Sequence, residues 1–423
     1  MSQLQEEGSG PVHGFLLSTV SSTQPTETGT THERTGLDLA MKLHYVKAVC
    51  IYSAEAAREL TVMHVKGPFF PIFNQIPWIS GRLSRHDSGR PFIKCNDCGT
   101  RFVESQCDLT EEEWLRVSDR SVDESLVYHQ PVGPELAYSP LIYIQMTRFK
   151  CGGLALGFSW AHIIGDALSV SHFLNLWARA LAGEEVYCPK TTDSERGLPN
   201  PNPTGKEPGS IKRVDPVGDL WVAPSDSKMT THSFNVTVKN IKTNFGANGN
   251  EFEILSGIIW RCIAQARGGG GSEPVTITII RSDPNGLKPR AVRNSQMISS
   301  VHVDFSVAEA KLEEIVKSIG KATDERSEID EIGESDDFIV YGAKLTFVDL
   351  SEVDFYEAKI KETSPVSVYC NVQGIGDEGA VVVLPAAVEE ERVVTVTLPE
   401  DEMEKVKWEL KKCGLIKTLI NGE

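Results

Sequence analysis

CGGLALGFSWAHIIGDALS, residues 151–169, decides the reading of this chain. Leu154–Trp160 is an apolar run with aromatic residues, which predicts a buried strand. From Ala167 to Leu181 the apolar residues Val170, Phe173, Leu174, Trp177 and Leu181 recur at helical spacing, so a helix follows. Between the two stand His162 and, four residues later, Asp166. An imidazole at a strand end, facing a cleft, is a general base that titrates near neutral pH. A carboxylate at the start of the next helix suits the helix dipole and can fix the loop that carries the histidine. The same two residues also read as a structural histidine with a capping aspartate.

Outward from this point the pattern stays mixed. Val12–Val20, Tyr45–Ile51, Leu141–Phe149, Val275–Ile280, Ala343–Val348, Ala380–Leu384 and Val393–Leu398 read as further strands. Glu251–Arg267 and Asp401–Lys412 read as helices, and Ser21–Thr35 as a loop, so the class is α/β. The first residues, 1–11, are polar and read as disordered. Residues 184–212 are proline-rich and almost without apolar side chains. Such a stretch cannot bury enough surface to offset its ordering entropy, and loops of that length are uncommon inside one domain. It reads as a crossover between a domain at 12–183 and another at 213–423. The glycine run Gly268–Gly271 lacks the Lys and Ser/Thr of a phosphate loop and reads as a second linker.

Composition narrows the function. The 423 residues carry 42 Lys+Arg against 59 Asp+Glu, a net charge of −17. That balance argues against nucleic-acid binding and against electrostatic docking on anionic lipid. No unbroken apolar run is long enough to predict a transmembrane helix, and the acidic, polar N-terminus does not read as a signal peptide. The 9 cysteines, an odd number, suit free thiols in a reducing compartment.

The HxxxD arrangement after a CGGxALG strand resembles the BAHD family of plant acyl-CoA-dependent acyltransferases. ISGRL (79–83), IKCNDCGTRFVES (93–105), EFEILSGIIWRCIAQAR (251–267) and TITIIRSDPNGLKPR (276–290) are similar to further family segments, so the likeness runs most of the chain. It implies two chloramphenicol-acetyltransferase-like α/β domains joined by a long crossover, with an active-site channel between them. It implies His162 as the base that deprotonates an alcohol or amine acceptor, and acyl-CoA as substrate or ligand with no tightly bound cofactor. It also implies that Asp166 is structural and pairs with Arg281.

The family's second signature, DFGWG, is lost. Its place is taken by Lys359, Ile360, Lys361, Glu362 and Thr363, which predicts a rebuilt loop because Lys and Thr resist backbone conformations that glycine permits. A smaller departure is Ala167 where the family has glycine. An intact HxxxD without DFGWG resembles the Eceriferum/Glossy branch. LDLAMKLHYVKAV (37–49), GPELAYSPLIYIQMTRFKCGG (133–153), DFIVYGAKLTFVDLSEVD (337–354) and VQGIGDEGAVVVLP (372–385) carry that likeness. The branch implies a role in cuticular wax, supporting elongation of very-long-chain acyl-CoAs with the ketoacyl-CoA synthase that is the elongase condensing enzyme. It places the chain peripherally on the cytosolic face of the endoplasmic reticulum, held by a protein partner. The alternative is an active acyltransferase using His162.

Other signals point to structure. Cys95-Asn-Asp-Cys98 lacks the second pair that a zinc site needs, and Asn-Asp between strands is a turn signal, so no metal is expected. His44, His129, His172 and His302 stand alone and read as packing or surface residues. Asn235-Val-Thr237 fits a glycosylation acceptor that a cytosolic chain would not use, and Glu325–Asp337 reads as a solvated loop. Pro68 and Pro71 should shorten or kink the helix expected around them.

Overall fold

The computed structural model describes residues 10–116, 124–189, 207–239, 241–268, 273–283, 291–332 and 336–416. Most of the expected N-terminal tail, the middle of the crossover, the body of the glycine run and residues 284–290 lie outside these.

Two sheets organise the chain. The first contains β1 (Val12–Val20), β2 (Tyr45–Tyr52), β3 (Thr100–Cys107), β4 (Ile142–Phe149) and β5 (Leu154–Ala161). The second contains β6 (Met229–Thr237), β7 (Thr276–Arg281), β8 (Met297–His302), β9 (Thr323–Asp324) and β10 (Leu345–Asp349). A strand from late in the chain, β11 (Ser367–Gln373), returns to the first sheet, and β12 (Ala380–Pro385) and β13 (Glu391–Pro399) complete the second. The orders are β1-β3-β4-β5-β2-β11 and β6-β13-β12-β10-β7-β8-β9.

Burial explains the strand sequences. Every residue of β2 and β5 is buried, and apart from Lys47 and Ser159 these strands are apolar rather than alternating. They pair antiparallel, with Tyr45 opposite Ala161, which sets the end of β5 where His162 begins. In the second sheet β7, β10 and β12 run parallel, with Arg281 opposite Asp349 at their C-terminal ends. Those ends face the end of β5, so the site lies where an open α/β sheet characteristically places one.

The division at residue 213 needs one amendment. β11 pairs antiparallel with β2, Val372 opposite Val46, so the second half of the chain supplies a strand to the first sheet. Without it β2 would be an edge strand of buried apolar residues, the kind that templates aggregation. A shared core results: Trp160 and Phe173 belong to the same apolar cluster as Ile280, Val348 and Val372. A second cluster, with Trp260, Phe347 and Leu398, lies under the second sheet.

Among the helices, α1 (Gly36–Ala40), α2 (Ala167–Leu181), α3 (Glu251–Arg267), α4 (Leu312–Ile319) and α5 (Glu400–Lys412) matter below. α2 packs Phe173 and Trp177 against Phe69, with ring centroids 5.7 and 6.1 Å apart. Around the two prolines the chain forms two short helices, Val62–Lys66 and Phe69–Gln75. Pro68 stands at the N-cap position of the second, and Pro71 falls in its first turn, where a backbone N–H would have no helical partner to lose. Cys95 is buried and Cys98 exposed, and Asp97 between them turns the chain in the left-handed region, φ 51°.

Candidate active site

His162 opens a single turn of 3-10 helix just past β5, and its N–H donates to the His44 carbonyl at 3.0 Å. The loop closes tightly on α2. A Cβ on Gly165, whose φ is 157°, would lie 2.8 Å from the Ser169 Cβ, so only glycine allows this approach. Trp160 Nε1 donates to the Gly165 carbonyl at 3.1 Å and fixes the loop from the strand side.

The imidazole is 1% exposed, and both ring nitrogens have partners inside the protein. The Asn294 amide nitrogen donates to Asp38 Oδ1 and to the His162 carbonyl, each at 2.9 Å. Its Oδ1 is therefore the acceptor for His162 Nδ1–H at 3.0 Å. That assignment places the imidazole proton on Nδ1 and leaves the Nε2 lone pair facing the Tyr341 hydroxyl, also at 3.0 Å. The same hydroxyl lies 3.3 Å from Gln296 Oε1, a second acceptor for its one proton.

Behind Asn294 the network continues into charge. Asp38 closes a capping box with Thr35 at the start of α1, and Arg34 Nη1 stands 3.6 Å from its carboxylate, both side chains being nearly buried. The Arg34 guanidinium lies 4.7 Å over the Trp78 ring. Burial holds His162 below its ordinary pKa, against the pull of the Asp166 carboxylate and the Asn294 hydrogen bond. Burial also lowers His44 to about 3, with His162 beside it adding to the effect, and raises the Tyr341 phenol. The centre therefore holds neutral imidazoles and a protonated phenol.

Asp166 does not pair with Arg281. Its Oδ1 caps α2, accepting from Ser169 N at 3.0 Å. Its Oδ2 accepts from Ser295 N at 2.8 Å and from Ser295 Oγ at 2.9 Å. With both oxygens engaged by closer donors, the carboxylate has no call on a guanidinium. Arg281, a third exposed at the end of β7, instead meets Glu253 of α3 at 3.4 Å and lies 5.2 Å over Phe252. The link between the halves of the site, expected from Arg281, is made by residues 293–296: Ser169 Oγ donates to the Arg293 carbonyl at 2.7 Å, and Asn294, Ser295 and Gln296 act as above.

The space beside His162 is small. A cavity of about 20 Å³ is lined by His162, Asp166, Ile280, Arg281, Gln296 and Tyr341, among others. It has room for about one water. Two larger clefts lie elsewhere: one of about 630 Å³ at the opposite end of β7 and β10, by Thr276 and Lys344, and one of about 450 Å³ by Arg58, Arg148 and Cys151. Among the described residues no group of three or more His, Cys, Asp or Glu is placed to hold a metal ion.

Lys359–Thr363, expected as a rebuilt loop, form a tight turn away from this cavity. Ile360 and Thr363 exchange backbone hydrogen bonds at 3.0 and 2.9 Å. Lys361 and Glu362 between them are left-handed, with φ 51° and 65°. Lys361 Nζ donates to the Arg58 carbonyl at 2.9 Å, and Ile360 is buried.

The structure brings His162 and Asp166 together at the end of β5 and sets around them Asp38, Asn294, Gln296 and Tyr341, which sequence reasoning missed, and His44, which it read as a packing or surface residue. Only Asp38 left a trace: Thr35-Gly-Leu-Asp38 is a helix-capping pattern. The others sit in apolar or irregular stretches with no period or spacing to mark them.

The chain matches the model of the Transferase family over residues 19–412. It is 74% identical over 422 residues to Protein ECERIFERUM 26-like of Arabidopsis thaliana, covering 99% of this chain and 100% of that one. Identity to Protein ECERIFERUM 2 of the same plant is 35%, over 96% of this chain and 99% of that one. Among solved structures the fold is shared with vinorine synthase, at TM-score 0.74 and 16% identity over 93% of this chain and 96% of that one. It is shared too with F. sporotrichioides TRI101 complexed with coenzyme A and T-2, at TM-score 0.68 and 16% identity over 90% of this chain and 97% of that one.

Proposed function

The chain belongs to the Transferase family, as a BAHD-type protein of the Eceriferum branch, and from that premise we propose that it serves cuticular-wax biosynthesis by supporting elongation of very-long-chain acyl-CoAs. It does so by binding the acyl-CoA, the condensing enzyme of the elongase, or both, without transferring the acyl group. The observation that carries this reading is the enclosure of His162, with Nε2 taken by Tyr341 and a cavity of about 20 Å³ beside it. An acceptor hydroxyl and a thioester carbonyl cannot both stand in the space of about one water. Coenzyme A as the ligand is supported by the relative TRI101, whose solved structure holds it.

The rival reading is acyl transfer to an alcohol or amine. It is favoured by the neutral His162, whose Nδ1–H is held by Asn294 so that Nε2 presents a lone pair. The two separate on His162→Ala, expressed in a mutant plant lacking the protein. Wax chain length restored as fully as by the native chain supports the binding role. Loss of restoration at equal protein level makes His162 a working base.

No described helix is long and apolar enough to cross a membrane. The proposed site of action is the cytosolic face of the endoplasmic reticulum, reached through the condensing enzyme. Co-expressed with that enzyme, part of the protein is expected in the membrane fraction. Equal membrane association in its absence would count against a protein tether.

A further inference from the structure

Tyr341 is held in place from every side. Its ring lies edge-on to His44 at 5.0 Å, and the Val340 N–H donates to His44 Nε2 at 3.1 Å. Its carbonyl accepts from Gly376 N at 2.9 Å, and the next N–H, Gly342, donates to Thr346 Oγ1 at 3.0 Å. Gly342 is left-handed at φ 79°, and a Cβ there would lie 2.5 Å from the Gly376 backbone. The residue is 2% exposed. With its backbone pinned and its ring enclosed, the phenol cannot leave Nε2 without opening this packing.

We propose that Tyr341 is the residue that silences His162: its hydroxyl occupies the position beside Nε2 that a nucleophile would take, and removing it makes the chain an acyl-CoA hydrolase. The proposal rests on the reading of His162 as idle in the native protein. It adds the cause of that idleness and the activity concealed behind it.

The base for hydrolysis and the groups that support it are already in place. A water in the vacated space gives a proton to His162 Nε2 as its oxygen attacks the thioester carbonyl. The C–S bond then breaks, and the leaving thiolate takes the proton back from Nε2. The balance is R–CO–S–CoA plus H2O giving R–COOH plus HS–CoA, with no other reactant. The transient imidazolium is held through Nδ1–H by Asn294, which Asp38 and Arg34 fix in turn, and it faces the charge of Asp166. His44 lies nearby, and the burial that lowers its pKa keeps it neutral, so it adds no opposing charge.

The test uses the full chain with Tyr341→Ala, Tyr341→Val and Tyr341→Ala combined with His162→Ala. Acetyl-CoA and palmitoyl-CoA are the probes, and released thiol is measured. Thermal melts identify which variants are folded. Tyr341→Ala is expected to release coenzyme A about 10²-fold faster than the native chain, the scale of one general base, and His162→Ala is expected to abolish the gain. Diethyl pyrocarbonate should then label His162, located by mass spectrometry, where it leaves the native residue unmodified. If Tyr341→Ala does not fold, Tyr341→Val, which also clears the ring and so leaves room for both water and thioester, decides by the same release assay. Release no faster than the native rate in the folded variants, or a gain that survives loss of His162, overturns the proposal whatever the labelling shows. The wax assay with His162→Ala tests the underlying reading separately, because it leaves Tyr341 in place.

Discussion

At the scale of single residues the site is governed by which polar groups were left for which partners. Asp166 serves three donors from Ser169 and Ser295, whereas Arg281 makes one longer contact from a partly exposed position. Asp166→Ala is therefore expected to cost about 2–3 kcal/mol, from a lost cap and buried donors left unpaired. Arg281→Ala should cost under about 1 kcal/mol. Urea unfolding of the two variants measures both, and equal losses would return Arg281 to the role expected from sequence. The buried histidines set a pH dependence. His44, held at about 3, stays neutral in the folded chain while its unfolded counterpart protonates below about 6.5. The unfolded state then binds the extra proton, so stability falls as pH drops from about 6.5 toward 3, by about 1.4 kcal/mol per unit for this residue. His129, lowered to about 3 by burial, and His162 act in the same direction. Denaturation at pH 7, 6 and 5 should show the decline, and His44→Gln should make it shallower while His129 and His162 keep part of it. A curve flat over that range would contradict the burial argument. None of this chemistry except His162 and Asp166 was legible beforehand, because Asn294, Gln296 and Tyr341 acquire meaning only once folding sets them beside an imidazole.

At the scale of elements the sequence was far more legible. Ala167–Leu181 and Glu251–Arg267 were predicted to the residue, since each begins at a side-chain cap and carries an unbroken helical period. Strands such as β2 and β5 were visible as apolar runs, but not their neighbours, because pairing depends on residues far away in the chain. The Lys359–Thr363 turn shows the limit most clearly. Loss of glycine suggested a different loop, yet the backbone takes a two-residue left-handed turn with Lys361 and Glu362 at φ 51° and 65°. Left-handed geometry costs a non-glycine residue about 1–2 kcal/mol. Lys361→Asn with Glu362→Gly matches the residues such turns favour and should stabilise the chain by about 1 kcal/mol. A melting temperature unchanged or lowered would show that the strain is relieved by contacts such as Lys361 to the Arg58 carbonyl.

At the scale of the whole molecule the two halves are interlocked rather than merely adjacent. A fragment of residues 1–213 lacks β11, so its β2 is left as an apolar edge. It is expected to show no cooperative melt alone and to recover one when the remaining residues are supplied as a second fragment. Independent, reversible unfolding of the first fragment would show that β11 is dispensable. The order of synthesis gives the shared strand another meaning. β2 leaves the ribosome early, and β11 only after most of the chain has followed. At about 5–20 residues per second that delay is about 15–60 s. Throughout it the nascent chain carries an unpaired hydrophobic strand, so its yield depends on what shields that edge during translation. A stop codon between residues 342 and 366 would release a polypeptide with every site residue encoded, Tyr341 included, and its first sheet permanently open.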